Sequence, residues 1–195
     1  HVGALKAMGA DKMGLSDDEL FDIVARWRAS NKRIVELWYR CESAVLTAIR
    51  TGTAQNVNGC TFRKADNFMI ITLPSGRELF YVSPTLKTNE KGKEQMFYMG
   101  VEQGTKKWGE IGTYGGKIVE NIVQAIARDC LALSMKKTAA KGFKVVMHIH
   151  DEMVIDSPMN RELRELTDIM AEPVPWAQGL ILRGDGFESM FYKKD

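Results

Sequence analysis

The sequence is poor in the residues from which most small metal sites and disulfide frameworks are built. It has three cysteines and three histidines among 195 residues. The cysteines (Cys41, Cys60 and Cys130) are far apart, and none of them forms a Cys-x-x-Cys pair. Their number and spacing predict small buried thiols, and they argue against a disulfide framework or a structural zinc site. This usage fits a reducing compartment.

Long apolar runs are also missing. No stretch approaches the roughly 20 apolar residues that cross a bilayer, and we expect neither a signal peptide nor a membrane partner. The formal net charge of +2 neither requires nor excludes nucleic acid. An apolar share of 45% is ordinary for a globular protein, so the chain can bury a sizeable core.

Two helices are predicted in the first quarter of the chain. Ser16 followed by Glu19 is a capping-box pattern that starts the first helix. A second helix is predicted from Asn31 to Gly52, since glycine favours the left-handed conformation that ends helices. Apolar residues recur at helical spacing in both, and we expect them to face the core. In the first helix these residues are Leu20, Phe21, Val24 and Trp27.

The next segment has the character of strands. Residues 60–62, 68–73, 78–82 and 96–101 are rich in β-branched and aromatic residues, and a turn is predicted at residues 74–77. Residues 105–117 mix cations, aromatics and glycines, which predicts a glycine-bearing loop able to approach a phosphate backbone.

A long helix is predicted over residues 118–140, with Gly142 ending it. Its apolar stripe is predicted to hold Ile122, Ile126, Cys130 and Leu133, with Val119, Val123 and Ala127 beside them. A hairpin follows at residues 144–156, then a helix opening at Ser157 and Pro158, then one or two strands within residues 180–192. This order predicts an α+β fold, with an antiparallel sheet covered by helices on one face.

The hairpin carries an acidic pair, Asp151 and Glu152, at its tip. Strict alternation would place Asp151 at the end of an apolar face made by residues 145, 147 and 149. A carboxylate held there suits Mg²⁺, which prefers hard oxygen ligands and accepts substrate phosphates as further ligands. Two alternatives remain open: polar turn residues without a function, and a zinc site built from His148, His150 and Asp151.

Residues 146–155, Val-Met-His-Ile-His-Asp-Glu-Met-Val-Ile, resemble motif C of the family A DNA polymerases, the DNA polymerase I family, and most closely its bacteriophage branch. Residues 113–129 are similar to the helix that precedes motif C in phage members. Residues 2–9, 73–77 and 186–194 also look like phage-branch sequence. The resemblance covers essentially the whole chain.

The resemblance implies a role for each matching residue. Asp151 would be a ligand of the catalytic Mg²⁺ in a two-metal site, and Glu152 would assist it. His150 would approach the primer end and Gln124 the minor groove, while Lys117 and Arg77 would meet phosphates. Residues 1–53 would be a helical segment from the fingers, and residues 54–195 the palm subdomain, whose antiparallel sheet would include the motif C hairpin. The partners would be primer–template DNA and deoxynucleoside triphosphates.

Parts of the family pattern have no counterpart here. Nothing resembles the Asp-Tyr-Ser context of motif A, the nucleotide-binding fingers helix or a proofreading exonuclease. Glu120 stands where many members have asparagine, and Asn121 follows it. We therefore expect a fragment of a longer polymerase, inactive alone, with its second metal-binding carboxylate on the missing amino-terminal portion. If phage-encoded, it would act in the bacterial host cytoplasm.

Two further functions remain alternatives. The chain could be a non-catalytic fragment that binds primer–template DNA or completes another subunit. Alternatively, a zinc site with His150 and His148 among its ligands would make the protein a metal-dependent hydrolase.

Overall fold

A computed structural model describes residues 2–10, 12–90 and 92–193. It confirms the α+β class, with a six-stranded antiparallel sheet packed against helices. In this part of the chain the helices are α1 (Val2–Ala7), α2 (Asp17–Ser30), α3 (Lys32–Thr51), α4 (Gly115–Ala140) and α5 (Leu163–Ala171). The strands are β1 (Gln55–Val57), β2 (Cys60–Ala65), β3 (Phe68–Thr72), β4 (Glu78–Thr88), β5 (Glu94–Val101), β6 (Trp108–Thr113), β7 (Lys144–Ile149) and β8 (Glu152–Asp156).

The predicted capping box begins α2. The Ser16 hydroxyl accepts a hydrogen bond from the Glu19 amide at 3.3 Å, and the Glu19 carboxylate accepts one from the Ser16 amide at 2.8 Å. The Glu19 carboxylate also accepts a 2.8 Å hydrogen bond from the Ser16 hydroxyl, and the two bonds that it accepts from the Ser16 amide and hydroxyl lower the pKa of the carboxyl group. The predicted end of α3 is also confirmed, because Gly52 follows it with φ of +71°.

The apolar side of α2 does not form the predicted core stripe. Leu20 is fully buried, but Phe21 and Trp27 are exposed. The Trp27 ring instead stacks on that of Trp38 in α3, with centroids 5.6 Å apart. The helical pattern predicted the helix correctly and its burial wrongly, because little of the described chain packs over α2.

Strands β1 to β6 pair in sequence order, and each pair is antiparallel. The four strands predicted from residues 60–101 are confirmed as β2 to β5. Strand β6 lies in the segment predicted as a loop, and that prediction is wrong. Gly112 lies opposite Phe97, where a Cβ atom would come 3.0 Å from the Phe97 ring and 2.8 Å from Gln95 Nε2. The absence of a side chain at Gly112 therefore leaves room for the Phe97 ring on the neighbouring strand.

Helices α3 and α4 cover one face of this sheet and share a single core with it. Buried residues of α3, the sheet and α4 make up this core: Cys41, Ala44, Val45, Ala48, Val57, Cys60, Phe62, Met69, Ile71, Leu73, Tyr81, Met96, Ile118, Val119, Ile122 and Ala125. Helix α4 confirms the predicted long helix but starts at Gly115. Val123 lies outside the core, because its side chain is exposed.

The three cysteines are buried free thiols, as predicted. Burial raises the pKa of Cys41 to about 11, with a smaller contribution from Cys60 nearby. The pKa values of the Cys60 and Cys130 thiols are also raised, chiefly by burial. In the described residues no helix is both long and apolar enough to span a bilayer.

The last third of the chain differs from prediction in three ways. Strands β7 and β8 form a separate two-stranded sheet, so the hairpin is not part of the large antiparallel sheet as expected. Helix α5 begins at Leu163, five residues beyond Pro158. No strand occurs within residues 180–192. That segment packs along α5 instead, since Gly186 lies against Leu163.

Candidate functional site

The hairpin turn is the feature of the site that sequence located best. Ile149 and Glu152 form the last pair of the ladder, so His150 and Asp151 are the two loop residues. His150 has φ of +51°, in the left-handed region that two-residue hairpin loops use and that glycine occupies most readily. The conformation turns the chain within two residues and leaves Asp151 at the tip.

The predicted alternation along β7 is wrong at one position. Val145 pairs with Ile155 and Met147 pairs with Val154, so Val146 is an extra residue that shifts the register. Met147 is exposed and does not continue an apolar face from Val145. Asp151 therefore reaches the tip through the turn, and its position does not depend on a continuous apolar face.

Both carboxylates at the turn are available for a ligand. Asp151 is exposed and Glu152 is half-buried. Neither makes a hydrogen bond or an ion pair with any described residue, although ion pairs are frequent elsewhere on this surface. Unpaired carboxylate oxygens are the donors that Mg²⁺ prefers. The donor set therefore fits this cation, with its remaining ligands coming from outside these two residues.

The hairpin is fastened to the second half of α4 and closed at its base. Arg128 Nη2 lies 3.3 Å from His148 Nε2, and the Thr138 hydroxyl contacts the Met153 sulfur at 3.8 Å. At the base, Lys144 donates a 2.8 Å hydrogen bond to Asp156, which raises the pKa of the lysine. These contacts fix the turn relative to α4. The Arg128–His148 contact joins positions 20 residues apart, and no local pattern indicated it.

A polar stripe runs along α4 toward the hairpin. Lys117, Glu120, Gln124 and Arg128 follow one another at spacings of three or four residues, which places them on one side of the helix. Lys117 Nζ lies 3.3 Å from a Glu120 oxygen, and Gln124 Nε2 donates to Glu120 at 3.4 Å. Two predicted DNA-contacting residues thus lie on a stripe that ends where α4 contacts β7.

Asn121 is next to Glu120 in sequence but faces the sheet and is not part of the polar stripe. Its amide donates a 2.9 Å hydrogen bond to the Tyr81 hydroxyl, across the interface between α4 and the sheet. Burial raises the pKa of Tyr81. The asparagine therefore satisfies a polar group at the edge of the core.

Arg77 is held by the protein itself. Its Nε donates to Asp129 at 2.5 Å and its Nη2 to the Ala125 carbonyl at 2.7 Å. Ser75 donates to the same carboxylate at 2.6 Å. These bonds tie the β3–β4 turn to α4, a contact between residues about 50 positions apart. The side chain is still 43% exposed, so part of the guanidinium is accessible beside α4.

A cleft of about 850 Å³ lies between the hairpin, α5 and residues 185–193. Glu152 lines it, as do Arg161 and Phe187, whereas Asp151 and His150 do not. Arg161 stacks over the Phe143 ring, with its guanidinium carbon 3.7 Å from the ring centroid. The turn thus stands at the rim of the cleft, with Glu152 directed toward it.

The zinc alternative loses support from this arrangement. The guanidinium of Arg128 lies against His148 Nε2, so a cation already occupies one of the two ring nitrogens through which this histidine would bind zinc. Among residues 2–10, 12–90 and 92–193, no group of three or more histidine, cysteine, aspartate or glutamate side chains is arranged to hold a metal.

Comparison with known proteins gives one informative match. The chain is 47% identical over 197 aligned positions to a DNA polymerase of Bacillus phage SP02. The alignment covers 99% of this chain and 30% of that protein, so the chain spans less than a third of its relative's length. No protein-family model matches the chain. No solved structure matches it either.

Proposed function

We propose that this chain is part of a DNA-directed DNA polymerase of the DNA polymerase I family. The observation that carries the polymerase function is the chain's 47% identity, along nearly its whole length, to a protein named DNA polymerase. The choice of family rests on the motif C resemblance, and the unpaired carboxylate at a tight turn gives further support. In this proposal, residues 54–195 belong to the palm and residues 1–53 to the fingers.

Asp151 would bind the catalytic Mg²⁺, and Glu152 would assist from the rim of the cleft. No cation among the described residues pairs with either carboxylate and competes for its oxygens. When bound, Mg²⁺ supplies positive charge that stabilises the phosphoryl oxygens during transfer. The contacts between the hairpin and α4 would keep Asp151 in place, which matters because Mg²⁺ demands near-ideal ligand geometry.

The stripe on α4 would follow the DNA. Gln124 and His150 would donate hydrogen bonds to minor-groove acceptors, which A·T and G·C pairs present at similar positions. Lys117 would contact a phosphate, and so would the accessible part of Arg77. Contacts of this kind tolerate any sequence, as copying requires.

The complete enzyme would join a deoxynucleotide to a primer by attack of the 3′-hydroxyl on the α-phosphate, with release of pyrophosphate. This chain would contribute one of the two carboxylates that a two-metal site needs from the palm. No third acidic side chain joins Asp151 and Glu152 in the described residues. The isolated chain would therefore bind primed DNA without extending it.

Binding of a labelled primer–template to the isolated chain tests this proposal. Gln124→Ala should weaken binding about 2- to 10-fold, because one hydrogen bond is lost. Gln103→Ala is the matched control, since Gln103 is an exposed glutamine in the β5–β6 loop. Equal affinities for the two variants, or no binding by the wild-type chain, would contradict the proposed DNA path. Robust primer extension by the chain alone would contradict the proposal that this chain supplies one of the two carboxylates of the metal site.

A further inference from the structure

A second candidate site lies between α2 and α3. It is a shallow groove of about 530 Å³, and we call it the α2–α3 groove. One residue of α2 and six of α3 line it: Arg28, Lys32, Val35, Glu36, Tyr39, Arg40 and Ser43. The α3 residues recur at three- and four-residue spacings, so they form one side of the helix. This side is turned away from the core.

The α2–α3 groove is positively charged, and its charges are not neutralised. Three cations line it, namely Arg28, Lys32 and Arg40. Arg28, Lys32 and Arg40 make no ion pair with any described residue, and Glu36 is the one anionic residue of the lining. Elsewhere on the protein, cations such as Arg63 and Lys87 are paired with carboxylates. Three unpaired cations in one groove indicate a polyanionic ligand.

An aromatic ring accompanies these cations. Tyr39 is 59% exposed, and Lys93 Nζ lies 5.7 Å from its ring centroid. Lys93 is itself paired with Glu42 at 2.5 Å, so it adds little net charge to the groove. Cations that follow a phosphate backbone, combined with an exposed ring on which a base stacks, are the usual elements of single-strand binding sites.

We propose that the α2–α3 groove binds single-stranded DNA, with Arg28, Lys32 and Arg40 on phosphates and Tyr39 stacked against a base. The choice of DNA rests on the proposed polymerase function, whereas the charge and the ring are independent of it. In a polymerase the ligand would be the unpaired part of the template. The site is separate from the hairpin, because it shares no residue with the α4 stripe or the cleft.

Fluorescence anisotropy with labelled oligothymidylate, without Mg²⁺, tests the phosphate contacts. The triple variant Arg28→Gln, Lys32→Gln, Arg40→Gln should bind at least about 10-fold more weakly. Its plot of log affinity against log salt should be shallower by about 2, since each lost single-strand phosphate contact removes roughly 0.7. The matched control is Lys12→Gln, Lys64→Gln, Lys136→Gln, which changes three exposed lysines outside the groove. An equal loss in this control would overturn the proposal.

The contribution of the ring is tested with Tyr39→Leu and Tyr39→Phe. Loss of stacking should weaken binding about 5-fold or more in the leucine variant without changing the salt slope, and phenylalanine should retain affinity. Wild-type affinity in Tyr39→Leu would overturn the stacking contact. Displacement of the oligonucleotide by polyglutamate as readily as by unlabelled DNA would indicate an acidic protein ligand and would also overturn the proposal.

The two proposals can fail separately. Oligothymidylate binding that depends on the α2–α3 groove, together with equal primer–template affinities of the Gln124 and Gln103 variants, would count against the DNA path on α4 alone. Primer–template binding that is weakened by Gln124→Ala but not by Gln103→Ala, together with oligothymidylate binding that the triple variant does not weaken, would count against the groove and leave the α4 path standing. A circular dichroism spectrum of each variant confirms that it is folded.

Discussion

Asp151→Asn in the complete polymerase is expected to reduce nucleotide incorporation about a thousand-fold or more. The asparagine keeps the size and the turn preference of aspartate but lacks the anionic oxygen that would hold Mg²⁺. Loss of several kcal/mol of transition-state stabilisation corresponds to a rate decrease of about this size. Stability should change by less than about 0.5 kcal/mol, because the Asp151 side chain is exposed and forms no hydrogen bond or ion pair with a described residue.

The matched control is Asp156→Asn in the same hairpin. Asp156 lies at the base, is 63% exposed and pairs with Lys144. An exposed ion pair contributes about 1 kcal/mol or less, so this variant should retain activity within a few-fold of the wild type. Single-turnover primer extension measures both. An Asp151→Asn enzyme that keeps a tenth of the wild-type rate would contradict the assigned role.

Gly115→Ala is expected to lower the free energy of unfolding by about 3 kcal/mol, at the upper end of overpacking effects. A Cβ atom at this position would lie 2.0 Å from the Trp38 carbonyl oxygen and 3.2 Å from Glu42 Cβ. The nearest atoms belong to the backbone of α3 and cannot rotate away, so the two helices would have to separate. For a chain of this length the melting temperature should fall by about 6–12 °C.

The adjacent Gly116→Ala is the matched control. Its Cβ atom would meet the exposed Tyr114 ring at 3.1 Å, and that side chain can move. Replacing glycine by alanine within a helix also gains up to about 1 kcal/mol. Urea unfolding followed by circular dichroism should therefore show Gly116→Ala at or above wild-type stability. Equal stabilities of the two variants would contradict the close approach of α3 and α4.

Local chemistry made part of the fold predictable. The Ser16–Glu19 capping box and Gly52 act within one helical turn, so sequence alone located those helix ends correctly. Strand β6 was missed because its glycines hide the alternation that identifies a strand. Its place in the sheet depends on pairing with β5, a contact that no pattern within β6 reveals.

In the candidate site, too, the local features could be predicted from the sequence and the contacts between distant residues could not. Asp151 and Glu152 were located at the hairpin tip because apolar strands flank them on both sides. The bulge at Val146 was not predictable, since it depends on how β7 pairs with β8 and packs on α4. The partners of Arg77 and His148 come from distant positions, so sequence could assign these residues a charge but not a contact.

The most direct test of the central claim is the position of a divalent cation in the complete polymerase bound to primer–template DNA and nucleotide. Crystals grown with Mn²⁺ in place of Mg²⁺ would locate the cation by its anomalous scattering. We predict a peak about 2 Å from a carboxylate oxygen of Asp151, at the β7–β8 turn. Cations whose ligands do not include Asp151, with nucleotide and primer in place, would contradict the account.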